Sequence, residues 1–169
     1  MRNQPDEPRR RRLTELFQRY GDDIHAYASH RLGPDQAADV VSEVFLAAWR
    51  RLDTIRPGNE RPWLYGAARL VILAGRRGNA EWAALRERAG TAAVDEPPDL
   101  AEDVVTRWQV RSVLASLAEA DREVLLTAVW YDLSPAQAAS VLGCSRATYA
   151  VRLHRARRRF GQAFRETGL

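Results

Sequence analysis

The apolar residues of this chain recur at steps of three and four almost from end to end, and no stretch alternates with a period of two. That spacing lines one face of a helix, whereas a half-buried strand needs strict alternation. The pattern restricts the chain to an all-α fold. From Leu13 onward, Leu16, Phe17, Tyr20, Ile24, Ala28 and Leu32 share a face, and Gly33-Pro34 stops the run.

A second helix is expected to open near Asp35, a suitable N-cap, in "DQAADVVSEVFLAAWRRL". Val41, Phe45, Ala48 and Leu52 form its apolar stripe, while Asp39, Glu43 and Arg50 fall on a different side. After the polar loop "DTIRPGNER", Pro62 is predicted to begin a third helix, "PWLYGAARLVILAGRRG", closed by Arg76, Arg77 and Gly78. Three helices around one core make an N-terminal domain of residues 10–78.

The composition then changes. "GTAAVDEPPDLAED" contains Pro97-Pro98 and five acids with no base, so residues 79–106 read as a flexible acidic linker. A solvated spacer accounts for it; an acidic strip that docks in a basic channel is the sharper alternative. Helices resume over residues 107–165. In "LSPAQAASVLG", Ser134 is an N-cap, Pro135 takes the first helical position and Gln137 completes a capping box. Gly143 supplies a turn and Ser145 can cap the last helix, which together read as a helix-turn-helix. The expectation is two small helical domains, the second a four-helix unit.

The 169 residues suit one ordinary domain or two small ones, and 46% hydrophobic residues allow real cores. No run approaches the ~20 apolar residues of a membrane helix, and no secretory signal is visible at the N-terminus, so a cytoplasmic protein without membrane insertion is expected. A single cysteine, Cys144, excludes an internal disulfide. His25, His30 and His154 combine with no other ligand at a metal-binding spacing, so neither metal nor cofactor is expected.

The net charge is +4 and the pI about 9.8, which favours a polyanionic partner. All 26 basic residues are arginine, whose guanidinium binds phosphate and guanine edges bidentately. They crowd the last helix. There Tyr149, Leu153, Ala156 and Phe160 should face the core, leaving Arg146, Ala150, Val151, His154 and Arg155 exposed, with Arg152, Arg157, Arg158 and Arg159 on the flank and C-terminal end. No acid lies between Ser134 and Arg165. A solvated basic face explains this blandly. A recognition helix explains it better, with early residues at base edges and later arginines on phosphates, each phosphate adding roughly 0.9 to the salt slope of binding.

At this point the chain resembles the bacterial extracytoplasmic-function (ECF) sigma factors, from about Leu13 to Phe164. "DVVSEVFLAAWRRL" is similar to the family's polymerase-gripping helix, "RPWLYGAARLVILAGRRG" to its promoter-melting segment, and "LASLAEADREVLLTAVWYDLSPAQAASVLGCSRATYAVRLHRARRRF" to its upstream-element reader. The resemblance implies a factor that directs core RNA polymerase to promoters and assists their opening, without itself being an enzyme. It implies core RNA polymerase and promoter DNA as partners and leaves room for an anti-sigma factor or helper protein. By the same resemblance, Asp39, Glu43, Trp49 and Arg50 would contact core polymerase. Asn59, Glu60, Arg61 and Trp63, with Arg69, Arg76 and Arg77 on phosphates, would serve the minus-10 element. Arg146, Ala150, Val151, Arg152, His154, Arg155, Arg158 and Arg159 would serve the minus-35 element. Core packing is the competing role for Trp49, Trp63 and Tyr65.

Four positions depart from the family pattern. Leu70 and Ala74 stand where the melting helix often has polar residues, Ala150 where the recognition helix often has a base-reading Arg, and Leu117-Ala118 where Leu-Pro is usual. They imply an unusual promoter or dependence on a helper. Two non-enzymatic alternatives stay open: a helix-turn-helix regulator with a sensing or dimerising N-terminal domain, and a sigma-like protein that occupies polymerase without initiating. The chain shows no phosphate-cradling glycine loop and no nucleophile–base spacing of the kind catalysis requires.

Overall fold

The computed structural model describes residues 6–78, 101–129 and 131–167. They form seven α-helices and one short 3-10 turn, and there is no strand among the described residues. Two compact units divide the chain at Val94/Asp95.

The N-terminal unit contains α1 (Asp6–Leu32), α2 (Pro34–Arg51), the 3-10 turn Leu52–Thr54, and α3 (Glu60–Gly78). Its core is the expected one: Leu16, Tyr20, Ile24, Ala28 and Leu32 of α1 meet Val41, Phe45, Ala48 and Leu52, and α3 adds Leu64, Tyr65, Ala68 and Ile72. Tyr27 and Tyr65 pack edge to face at 5.3 Å. Phe17 is half in water, yet its ring abuts Phe45 at 5.0 Å.

In this unit the helix boundaries differ from the sequence expectation in three places. First, α1 begins seven residues before Leu13, because Arg9 and Arg12 bind the far end of α2. Arg12 donates to the carbonyls of Leu52 (2.9 Å) and Ile55 (2.5 Å). Arg9 donates to the Asp53 carboxylate (2.7 Å) and the Trp49 carbonyl (3.0 Å). These arginines add donors to carbonyls at and just beyond the helix end, where backbone donors run short. Second, the N-cap of α2 is Gly33, at φ +88°, with Pro34 in the first turn, so Asp35 lies inside the helix. A carboxylate there still complements the positive end of the helix dipole. Third, α3 opens at Glu60 rather than Pro62, and the Asn59 carbonyl accepts the Trp63 N–H at 3.1 Å. Pro62 falls in the first turn, where a missing N–H breaks no intrahelical bond.

The C-terminal unit contains α4 (Ala101–Ser116), α5 (Glu119–Val129), α6 (Pro135–Val141) and α7 (Arg146–Thr167). Helix α4 therefore starts within the stretch read as linker; Asp95, Glu96 and Asp99 lie outside the described residues. The Arg122 guanidinium closes the α4–α5 corner by donating to the carbonyls of Leu114 (2.8 Å), Ala115 (2.9 Å) and Leu117 (3.2 Å). Val124, Ala138, Ala139, Leu142 and Tyr149 form the core beneath the helix-turn-helix, with Leu133, Cys144 and Leu153 against it.

Candidate nucleic-acid and polymerase interfaces

The helix-turn-helix is fixed by local hydrogen bonds that the sequence announced. The Ser134 hydroxyl accepts from the Gln137 N–H at 3.2 Å, and the Gln137 side chain accepts from the Ser134 N–H at 2.9 Å. Gly143 makes the turn at φ +66°, a conformation that disfavours any side chain with a Cβ. The Ser145 hydroxyl then caps α7 by accepting the Thr148 N–H at 3.1 Å. Tyr149, 3% exposed, pins the first turns of α7 to the core. Burial pushes its phenol pKa up, with Arg157 opposing and Cys144 adding to the shift, so the ring is a neutral anchor at physiological pH.

With Tyr149 and Ala156 inward and Leu153 and Phe160 half-buried, the opposite side of α7 is in water. Ala147, Ala150, Val151, His154, Arg155 and Arg158 are all exposed, as are Arg146, Arg152 and Arg157. Arg155, Arg157, Arg158, Arg159 and Arg165 surround a shallow recess floored by Gly161 and Gln162. Guanidinium groups pair with phosphate oxygens by charge and by bidentate hydrogen bonds. Arg159 has a second engagement: its guanidinium donates to Asp121 at 2.6 Å, on the flank of the helix that turns back toward α5.

In the N-terminal unit, Asp39, Glu43 and Arg50 are exposed on α2, opposite the buried stripe of Val41, Val44 and Ala48. Their spacing of four and seven residues places them along one line. Leu46, half in water, occupies the same line between Glu43 and Arg50. Sequence reading passed over Leu46; its seven-residue offset from Asp39 was the available signal. Trp49 lies off this line and is half-buried, with the Arg9 guanidinium over its ring at 5.0 Å. It packs within the unit and also reaches its surface.

Helix α3 separates the residues expected at the minus-10 element. Arg61 turns toward α1, 3.6 Å from Asp23 and 5.9 Å from the Tyr20 ring. Tyr65 belongs to the core. Trp63 is half-buried, Asn59 is exposed, and Glu60 and Arg69 are half-buried. Helical spacing puts Trp63 on the same side as Leu70 and Ala74, both exposed, Leu70 by 65%. The two family departures on α3 are therefore surface residues and cost the core nothing. Arg76 and Arg77 lie in the last turn of α3, their side chains outside the described residues.

No helix among the described residues is long and apolar enough to cross a membrane. His25 is exposed; His30 is partly buried, and burial lowers its pKa below the usual 6.5.

Comparison with known proteins agrees with this geometry. The family model described as Sigma-70 region 2 matches residues 16–81, and that described as Sigma-70, region 4 matches residues 107–160. The chain is 33% identical over 141 residues to the ECF RNA polymerase sigma factor SigL of Mycobacterium tuberculosis, covering 79% of this chain and 77% of that protein. Among solved structures, the fold is similar to the sigma factor RpoE of Bartonella quintana, crystallised with the anti-sigma factor NepR. That match has a TM-score of 0.65 and 21% identity over 90% of this chain and 96% of the other. CnrH in complex with the cytosolic domain of CnrY is also similar, with a TM-score of 0.60 and 25% identity over 90% and 87% of the two chains. The chain belongs to the ECF RNA polymerase sigma factors, which direct core RNA polymerase to specific promoters for the initiation of transcription.

Proposed function

We propose the following division of labour for that activity. The N-terminal unit grips core polymerase through the α2 line of Asp39, Glu43, Leu46 and Arg50, with Trp49 at its edge. The outward side of α3 around Trp63, with the preceding Asn59 and Glu60, meets the minus-10 element and holds it open, and Arg69, Arg76 and Arg77 of the same helix serve its backbone phosphates. Arg61 supports this surface from behind through Asp23 and Tyr20. The C-terminal unit lays α7 in the major groove of the minus-35 element: Arg146, Ala150, Val151, His154 and Arg155 at base edges, Arg152 and Arg158 on phosphates, and Arg159 shared between phosphate and Asp121. The protein works in the cytoplasm, catalyses no covalent step itself, and is open to restraint by an anti-sigma factor such as the one seen with the Bartonella protein.

The observation that carries this reading is the division of α7. Its buried seam of Tyr149 and Ala156 stands opposite exposed short side chains near the N-terminus and arginines beyond them. That order matches a recognition helix, whose first turns reach bases while later residues hold the backbone. The regulator alternative finds no support in residues 16–81, which match a polymerase-factor region instead of a sensing domain.

Footprinting and permanganate reactivity with reconstituted holoenzyme test the assignment. Arg155→Ala should remove protection of the upstream element and leave core affinity intact. Trp63→Ala should leave both and reduce thymine reactivity at the start region. Equal loss of core affinity in Arg155→Ala would refute the division.

A further inference from the structure

We propose that the outward strip of α7 selects thymine in the upstream element by its C5 methyl group, with Ala147, Ala150 and Val151 as the specificity-determining residues. This rests on the reading of α7 as the groove-bound helix and adds what that helix reads.

Positions 147, 150, 151 and 154 are spaced by three, four and seven residues, so they form one strip, and that strip lies opposite buried Tyr149 and Ala156. Three of its four members are aliphatic and exposed, and Val151 leaves half its surface in water. Aliphatic groups offer no donor or acceptor and cannot read the hydrogen-bond pattern of a base edge. The apolar group that a base presents in the major groove is the methyl of thymine. Ala147 and Ala150 also edge an apolar hollow made with Pro135, Tyr149 and Leu153, and Arg146 stands at its rim. A methyl entering there meets carbon on several sides.

The surroundings commit the strip to DNA. Exposed Arg158 follows His154 one turn on, exposed Arg152 stands on the flank of the helix, and no acid interrupts residues 134–165. That charge fits a phosphate backbone on either side of the groove. Short side chains let the helix approach the base edges closely, and the β-branched Val151 has little χ1 freedom to lose on contact. Where a longer arginine would select guanine, Ala150 leaves space that a methyl can fill.

The experiment uses reconstituted holoenzyme and promoter fragments selected by it. Each thymidine of the upstream element, on both strands, is replaced singly by deoxyuridine, which removes the methyl and nothing else. At one or two positions the wild-type holoenzyme should lose roughly three- to fivefold in affinity, the expected effect of one methyl-sized group leaving an apolar contact. In Val151→Ala that difference should shrink below about twofold for at least one of those positions. Val151 is exposed, so the alanine variant keeps its fold, and circular dichroism verifies this. Arg155→Ala should weaken thymidine and deoxyuridine templates by the same factor. An upstream element without thymine on either strand, or equal use of the two template types by wild type, would overturn methyl readout. Upstream-element use that is indifferent to both Arg155→Ala and Val151→Ala would overturn the groove-bound reading of α7 and the proposal with it.

Discussion

The Arg159 guanidinium donates to the largely buried carboxylate of Asp121 at 2.6 Å, tying the rear half of α7 to the first turn of α5. Arginines at the end of α7 are thus not equivalent. Arg155 and Arg158 present their charge to solvent, whereas Arg159 also holds the unit together.

This difference is measurable. Asp121→Ala should destabilise the protein by about 1 kcal/mol, the scale of a partly buried charge-assisted hydrogen bond. Arg159→Ala should do the same, because it leaves the buried carboxylate unanswered. Arg155→Ala should leave the thermal midpoint unchanged while reducing DNA affinity. Differential scanning calorimetry of the three variants checks the ordering, and matching midpoints for all three would remove the structural role of the pair.

The arginine run at the N-terminus gives a second contrast. Arg12 caps two carbonyls beyond α2, and Arg9 joins Asp53 and Trp49, while Arg10 and Arg11 are exposed. Arg12→Ala should lower stability by about 1–2 kcal/mol, and Arg11→Ala should stay within ~0.5 kcal/mol of wild type. Urea denaturation followed by helical signal distinguishes them.

Charge reversal on α2 tests polymerase docking. Asp39→Arg combined with Glu43→Arg should lower affinity for core polymerase by about tenfold or more, since it places like charge against a complementary surface. The thermal midpoint should not fall, because neither residue touches the core. Leu46→Ala should weaken docking less. Unchanged affinity in the double variant would remove this line from the interface.

His30 gives the N-terminal unit a pH dependence. Burial lowers its folded pKa below 6.5, so the unfolded chain binds the proton more tightly. Its contribution to stability is complete above about pH 6.5 and declines as the pH falls toward the depressed folded value. Unfolding midpoints should therefore drop between pH 7.5 and 5.5, and His30→Gln should flatten that slope. A parallel slope in the variant would assign the effect to other groups.

Much of this was legible beforehand. Steps of three and four show which residues of α1 and α2 face inward, Phe17 excepted, and the Ser134–Gln137 and Ser145 caps each join residues three apart. What escaped depended on contacts distant in sequence. The start of α1 at Asp6 is held by Arg9 and Arg12 reaching across about forty residues, and no local pattern encodes that. Likewise, nothing in the local sequence around Arg61 shows that its partner is Asp23, on another helix. Propensity and spacing describe a helix; they do not say which neighbour a long side chain will find.

The central claim is that this chain makes core RNA polymerase initiate at chosen promoters. Run-off transcription with purified core polymerase, with and without the protein, on fragments selected by the holoenzyme measures it directly. Discrete transcripts that require the added chain, and that weaken as salt rises, are the expected result. Polymerase that yields the same products without the chain, or that never associates with it, would contradict the account.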